Sequence, residues 1–337
     1  MLTRSQLARP IAVLATLAIS VGFGYLALRG IRFNATWHAF AACNYWWLLP
    51  SLGALAASIL VRVIRWRMLF DPARRPPFVS LTKATTIGYF FNSILPARAG
   101  EIARIVALKK YADTPPAETT ATVVIERLFD VGTLLVLLFA FLPWLPHLSW
   151  VEPALLVSLA CAGVVVLLIV FGRLASRREA PWGSRLFGRA LGAREETIAR
   201  VFRNALHGLS ILERPRQALA ALAWTFLSWF LLALSFWCLM LGFHLGLSPL
   251  AGLLVVIATG LAFIIPAAPA AVGVFEAAGL AVTSAYGVPR SSALAYVLVL
   301  HILNFAPFIL AGLLLLAVDT GARRVSAATA VELRSAD

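Results

Sequence analysis

Residues 92–104 read NSILPARAGEIAR, and within them Arg98, Glu101 and Arg104 recur at intervals of three. On a helix beginning near Arg98, that spacing puts two guanidiniums and a carboxylate on one face. Pro96 and Gly100 suit a backbone break between two half-helices. A helix that starts after such a break offers unpaired N–H groups. Those groups, with Arg98 and Arg104, make an anion-binding place whose chemistry fits a phosphate headgroup. Asn92, at the head of the stretch, is counted with them as a headgroup-binding residue. Glu101 is expected to pair with the arginines when the site is empty, or to meet an amine on the headgroup. The bland alternative is a tip at the membrane interface whose arginines snorkel to water.

Two further stretches carry ionisable groups in apolar surroundings. In IERLFD (125–130), Glu126 and Asp130 are four apart on one helix face, and Arg127 lies three from Asp130. Like charges so placed disfavour each other, and a cation from elsewhere, such as Arg98 or Arg104, would resolve the conflict. With a span starting near Thr119, Glu126 lies on the order of 10 Å in, at about 1.5 Å per residue. The cluster reads either as part of a headgroup site or proton relay, or as charges marking a helix start. In PAAPAAVGVFE (266–276), a second break at Gly273 precedes Glu276, which has no basic neighbour in sequence. His301 and Asn304 lie three apart further along, and His301 is expected to face Glu276, although a lone helical histidine is more often simply packed. Arg62 and Arg65 read as topology anchors with snorkelling side chains.

The elements that must position these groups follow from composition. The chain has 337 residues, 61% hydrophobic and 13% charged, whereas a soluble domain is roughly a quarter charged. Several apolar runs of about 18–25 residues are each long enough to cross a bilayer as a helix, and the alternation of barrel strands is absent. The chain therefore reads as an integral membrane protein. Its net charge of +14 points to loop topology and anionic lipid headgroups rather than to nucleic acid. Cys43, Cys161 and Cys238 have no metal-ligand spacing and read as small apolar residues. Tryptophans such as Trp46, Trp47, Trp144 and Trp150 suit interfacial belts. Without a metal-binding His pair, a phosphate-binding glycine loop or a nucleophile elbow, an enzyme is not expected, nor a cofactor or a metal.

Spanning candidates are 10–28, about 46–68, about 119–142, 152–171, about 217–242 and 292–318. The first is read as a transmembrane helix rather than a cleaved signal peptide. Two other apolar regions, 79–110 and 249–287, are broken by LPARAGE (95–101) and IIPAAPAAVG (264–273). If 79–110 returns to its own side, the N-tail, 62–83, 104–110, 173–216 and the C-tail share one face. They hold 2, 6, 3, 10 and 3 Lys and Arg, against Arg29, Arg32 and Arg290 opposite. The positive-inside rule favours that arrangement, with both termini cytoplasmic. The fold class expected is thus an all-α polytopic membrane protein of two inverted repeats, each of three transmembrane helices plus one broken or re-entrant hairpin. Residues 1–320 form a single transmembrane domain, with repeats at 10–143 and 152–318, and 321–337 a short cytoplasmic tail. The basic loop 173–216 reads as a solvated topology signal or, through Ile198, Phe202, Ala205, Leu209 and Leu212, as an amphipathic helix on the cytoplasmic leaflet.

GYFFNSILPARAGEIARIVALKK, then ERLFD, then PAAPAAVGVFE resemble the transmembrane-region family of lysylphosphatidylglycerol synthases over nearly the whole chain. The family pattern usually has a glycine-rich turn where this chain has Pro269-Ala270-Ala271, and often an arginine near His301. No soluble aminoacyl-transferase domain follows residue 320, so the resemblance implies lipid translocation rather than lipid aminoacylation. The expected function is a flippase or scramblase for an anionic or zwitterionic lipid in the bacterial inner membrane. The competing expectations are a scaffold for a glycosyltransferase or another lipid-modifying enzyme and, more remotely, an intramembrane transferase using Glu126 or Asp130.

Overall fold

A computed structural model describes residues 18–96, 98–144, 163, 215–263 and 268–335, the side chains of 215 and 320–335 excepted. Among these residues the regular secondary structure is helical, without strands. The helices are α1 (Ala18–Leu28), then α2 (Phe33–Ala41), α3 (Leu48–Met68), α4 (Phe78–Ile94), α5 (Ala99–Ala112) and α6 (Pro116–Phe141). After a gap come α7 (Pro215–Gly242), α8 (Pro249–Ala262), α9 (Val274–Ala285) and α10 (Arg290–Ser335). Apart from Gly163, the expected span 152–171 lies outside the described residues, as do the loop 173–216 up to residue 214, with its amphipathic segment, and the start of the 10–28 span.

Among the described residues, three segments are long and apolar enough to cross a membrane: Tyr45–Met68, Arg216–Gly242 and Arg290–Asp319. They match three of the expected spans. α6 has 26 residues and fills the expected 119–142 span, but brings Glu126, Arg127 and Asp130 with it. α10 runs on helically through the expected tail to Ser335.

Both broken regions are helical hairpins. α4 and α5 pack closely on each other, as do α8 and α9. Their arms of 17, 14, 14 and 12 residues reach about 18–26 Å at 1.5 Å per residue, short of a hydrocarbon core about 30 Å thick. α4 also packs on the turn Pro269–Ala271, so the first hairpin touches the break of the second.

In lipid, helices associate through close packing and interhelical hydrogen bonds rather than through exclusion from water. The α3–α7 pair shows this. Ser51 and Ser58, seven residues apart, donate to the carbonyls of Ser235 and Ser228, each at 2.8 Å. Seven residues on, Arg65 continues the stripe and reaches the Thr225 hydroxyl at 3.3 Å. One apolar core joins α6–α10 around Phe236, Leu254, Tyr296 and Leu300, and a second joins α3–α6 around Trp66, Leu81 and Leu108. Trp46 and Trp144 are exposed as expected of belt residues, whereas Trp66 is wholly buried.

Candidate functional site

The first break begins at Leu95, and Arg98 turns it in the left-handed region (φ 55°) before α5 starts. Gly100 lets α5 approach α4. A Cβ there would sit 2.0 Å from the Gly88 carbonyl and 2.6 Å from the Asn92 side chain. Asn92 accepts a hydrogen bond from the Gly100 N–H at 2.9 Å, tying the hairpin. The N–H groups of Ala99 and Glu101 reach the carbonyls of Pro96 and Arg98. The first N–H groups of α5 are therefore taken within the hairpin, and the expected anion site on them is not formed.

Arg104 is also committed. Its two terminal nitrogens meet both oxygens of Glu126 at 3.0 Å each, and its guanidinium stacks 3.5 Å from the Trp66 ring. Glu126 also meets Arg65 at 3.3 Å and Arg127 at 2.8 Å. Asp130 pairs with Arg65 at 2.5 Å and Arg127 at 3.5 Å, and Glu101 with Arg127 at 3.4 Å. Arg104 thus supplies the cation expected for Glu126, while Arg98 pairs with neither carboxylate. Arg65 is the partner that the sequence reading missed. Its sequence position reads as a snorkelling anchor, yet its side chain is 0% exposed. The physical reason is the α3 stripe, which turns Arg65 inward, where two carboxylates compensate its charge.

Arg62, one helical turn before Arg65, is likewise buried and not a snorkelling anchor. Its guanidinium lies 4.5 Å from the centre of the Trp229 ring. Arg98, which is exposed, donates to the Phe263 carbonyl at the C-terminal end of α8.

Beside these groups lies a partly open cavity of about 440 Å³ between the hairpins. Its lining includes the charged Arg62, Arg98, Glu101, Arg127 and Asp130 together with the aromatic Trp229, Phe236, Phe263, Phe275, Phe305 and Phe308. Ala270 and Ala271 of the second break, with Asn92 and Asn304, also line it. Of the expected first-hairpin set, Arg98, Glu101, Asn92, Arg127 and Asp130 reach the cavity, while Glu126 and Arg104 stand behind it.

At the second break, Gly273 has φ 86°, and a Cβ would lie 2.2 Å from the Ser20 carbonyl of α1. One Glu276 oxygen accepts from the Gly273 N–H at 2.7 Å, and the other lies 2.7 Å from Nδ1 of His301. The expected His301–Glu276 pairing is present. His301 also packs against Phe305 and Phe275 of the cavity wall, with ring centres 4.6 and 5.2 Å away. Where the resembled pattern has glycines, Ala270 and Ala271 both adopt left-handed conformations, φ 55° and 56°. Asn304 caps inward on its own helix, donating to the Leu300 carbonyl at 2.9 Å. Among the described residues, no three His, Cys, Asp or Glu side chains gather as metal ligands.

Comparison with known proteins agrees with this architecture. The chain is 24% identical over 226 residues to a UPF0104 membrane protein of Methanocaldococcus jannaschii, covering 66% of this chain and 91% of that one. The lysylphosphatidylglycerol synthase TM region family matches residues 13–312, almost the entire chain. The chain belongs to the lysylphosphatidylglycerol synthase transmembrane-region family.

Proposed function

We propose that the protein translocates lipid across the membrane, as a flippase or scramblase of an anionic or zwitterionic phospholipid or lipid-linked intermediate. The observation that carries this reading is the amphiphilic cavity between the hairpins, lined by arginines and by aromatic rings. A lipid is amphiphilic in the same way. Its phosphate would meet Arg98 and Arg62, and the upper parts of its chains would lie along Phe263, Phe305 and Phe308. Irregular backbone at membrane depth is tolerated where it is buried in protein or lines a cavity, and both breaks border this one. Two interrupted hairpins meeting at a polar site are the arrangement expected of transporters with inverted repeats. In this reading the halves 10–143 and 152–318 rock about the cavity, the termini lie in the cytoplasm, and the protein acts without chemical turnover.

The test is reconstitution in proteoliposomes with an acyl-chain-labelled anionic phospholipid, followed by its loss from the outer leaflet. Wild type is expected to speed translocation over protein-free vesicles, and Arg98→Ala to abolish the gain while folding is retained. A folded wild-type protein that moves none of several phospholipids would contradict the reading. It would instead favour a scaffold for a glycosyltransferase or other lipid-modifying enzyme.

A further inference from the structure

Charge pairing around the cavity is uneven. Glu101, Glu126 and Asp130 each contact at least one arginine, and the arginines so engaged are Arg65, Arg104 and Arg127. Three carboxylates therefore balance three guanidiniums. On the second hairpin, Glu276 and His301 face each other. Arg62 and Arg98 are left, and both line the cavity. Among the described residues neither makes a salt bridge at contact distance, although Asp130 attracts both and Glu101 attracts Arg98: Arg62 lies over the face of Trp229, and Arg98 donates to a neutral carbonyl. Arg62 is only 9% exposed. Five guanidiniums thus meet three carboxylates around the cavity, and of the two in excess Arg62 is buried and Arg98 exposed; a cleft with that excess makes a place for two negative charges.

Resting on the translocation reading above, we propose that the cavity selects lipids whose headgroup is a dianionic phosphate, a terminal monoester or a diphosphate, over phosphodiester and zwitterionic lipids. A monoester presents three terminal oxygens and close to two charges at neutral pH. A diester presents two free oxygens and one charge, leaving one guanidinium uncompensated. Each guanidinium is a rigid fork of five N–H donors, and Arg98 spends one of them on Phe263. The two forks can therefore share three oxygens, with charge-assisted bonds to each. Free phosphate offers the same oxygens but leaves the aromatic part of the lining unused, so the lipid form is the one favoured.

The experiment uses proteoliposomes at pH 8 and three probes carrying the same label on the acyl chain: phosphatidic acid, phosphatidylmethanol and phosphatidylcholine. The first two differ by one methyl group and one charge. Wild type is expected to move phosphatidic acid about tenfold faster than phosphatidylmethanol, roughly the worth of one more charge-assisted contact, and phosphatidylcholine slowest. Arg62→Gln is expected to bring the first two rates within about twofold, and Arg62→Lys to keep most of the preference. Millimolar inorganic phosphate is expected to leave the rates unchanged; inhibition by it would assign the site to the free anion and overturn the lipid assignment. Equal rates for the three lipids, or a faster diester, would overturn the preference while leaving translocation standing. Movement of none of them by folded protein would overturn both.

Discussion

The two hairpins meet at one cavity, yet they are held in opposite ways. Around the first, five arginines and three carboxylates converge, and Glu126 alone is contacted by Arg65, Arg104 and Arg127. Around the second the described residues bring one carboxylate and a histidine, and the shape is set by backbone: Gly273 against α1, and two left-handed alanines. An ion-paired cluster tolerates little change, because removing one partner strands the others in a low dielectric. A turn held by backbone shape and one capping carboxylate has less to lose.

That contrast can be broken most severely at Arg65. Arg65→Met leaves Asp130 with only the longer contact to Arg127, and is expected to cost about 3–5 kcal/mol, read as a large fall in the unfolding midpoint in detergent. Arg104→Met should cost less, since Glu126 keeps two arginines. Next come the close approaches. Gly100→Ala drives a Cβ into the Gly88 carbonyl, and Gly273→Ala into that of Ser20. Each is expected to cost about 1–3 kcal/mol, Gly273→Ala the more because its φ is positive. Limited proteolysis should show opening at the corresponding hairpin. Smaller still, Glu276→Gln retains an acceptor for the Gly273 N–H but weakens the bond to His301, at a cost of about 1 kcal/mol in the same unfolding measurement. The smallest change has the opposite sign. Ala271→Gly relieves a left-handed alanine, and after the entropy glycine adds to the unfolded chain a gain of about 0.5 kcal/mol is expected. A loss there would show that the turn gains nothing from a glycine.

Much of this site was legible in the sequence. Interval-three charges after Pro96 located the first break, and the lack of any local partner for Glu276 singled out His301. Arg65 and Arg62 were not legible in the same way. At the end of an apolar helix, a cation that snorkels and one that is buried look alike by composition. A signal was present in the seven-residue stripe Ser51, Ser58, Arg65, which marks a helix–helix face rather than a lipid face. Arg104 is the cation expected for Glu126, whereas its stacking on Trp66 is set by how α3, α5 and α6 pack and is not visible in its spacing from Arg98 and Glu101. The α4–α5 hairpin tie through Asn92 is likewise a tertiary contact over eight residues, which spacing alone does not reveal.

The most direct measurement asks whether a headgroup occupies the cavity and is held by Arg62 and Arg98. Asn304→Cys places a thiol in the cavity lining, in a background where the native cysteines are replaced by alanine. Its labelling by a small water-soluble thiol reagent is followed in nanodiscs of zwitterionic lipid, then with added phosphatidic acid. Labelling is expected to slow about fivefold or more with phosphatidic acid, a protection of roughly 1 kcal/mol, and the protection to vanish when Arg62 and Arg98 are both changed to Gln. Labelling at the same rate with and without the anionic lipid, in a folded protein, would contradict a headgroup site between the hairpins.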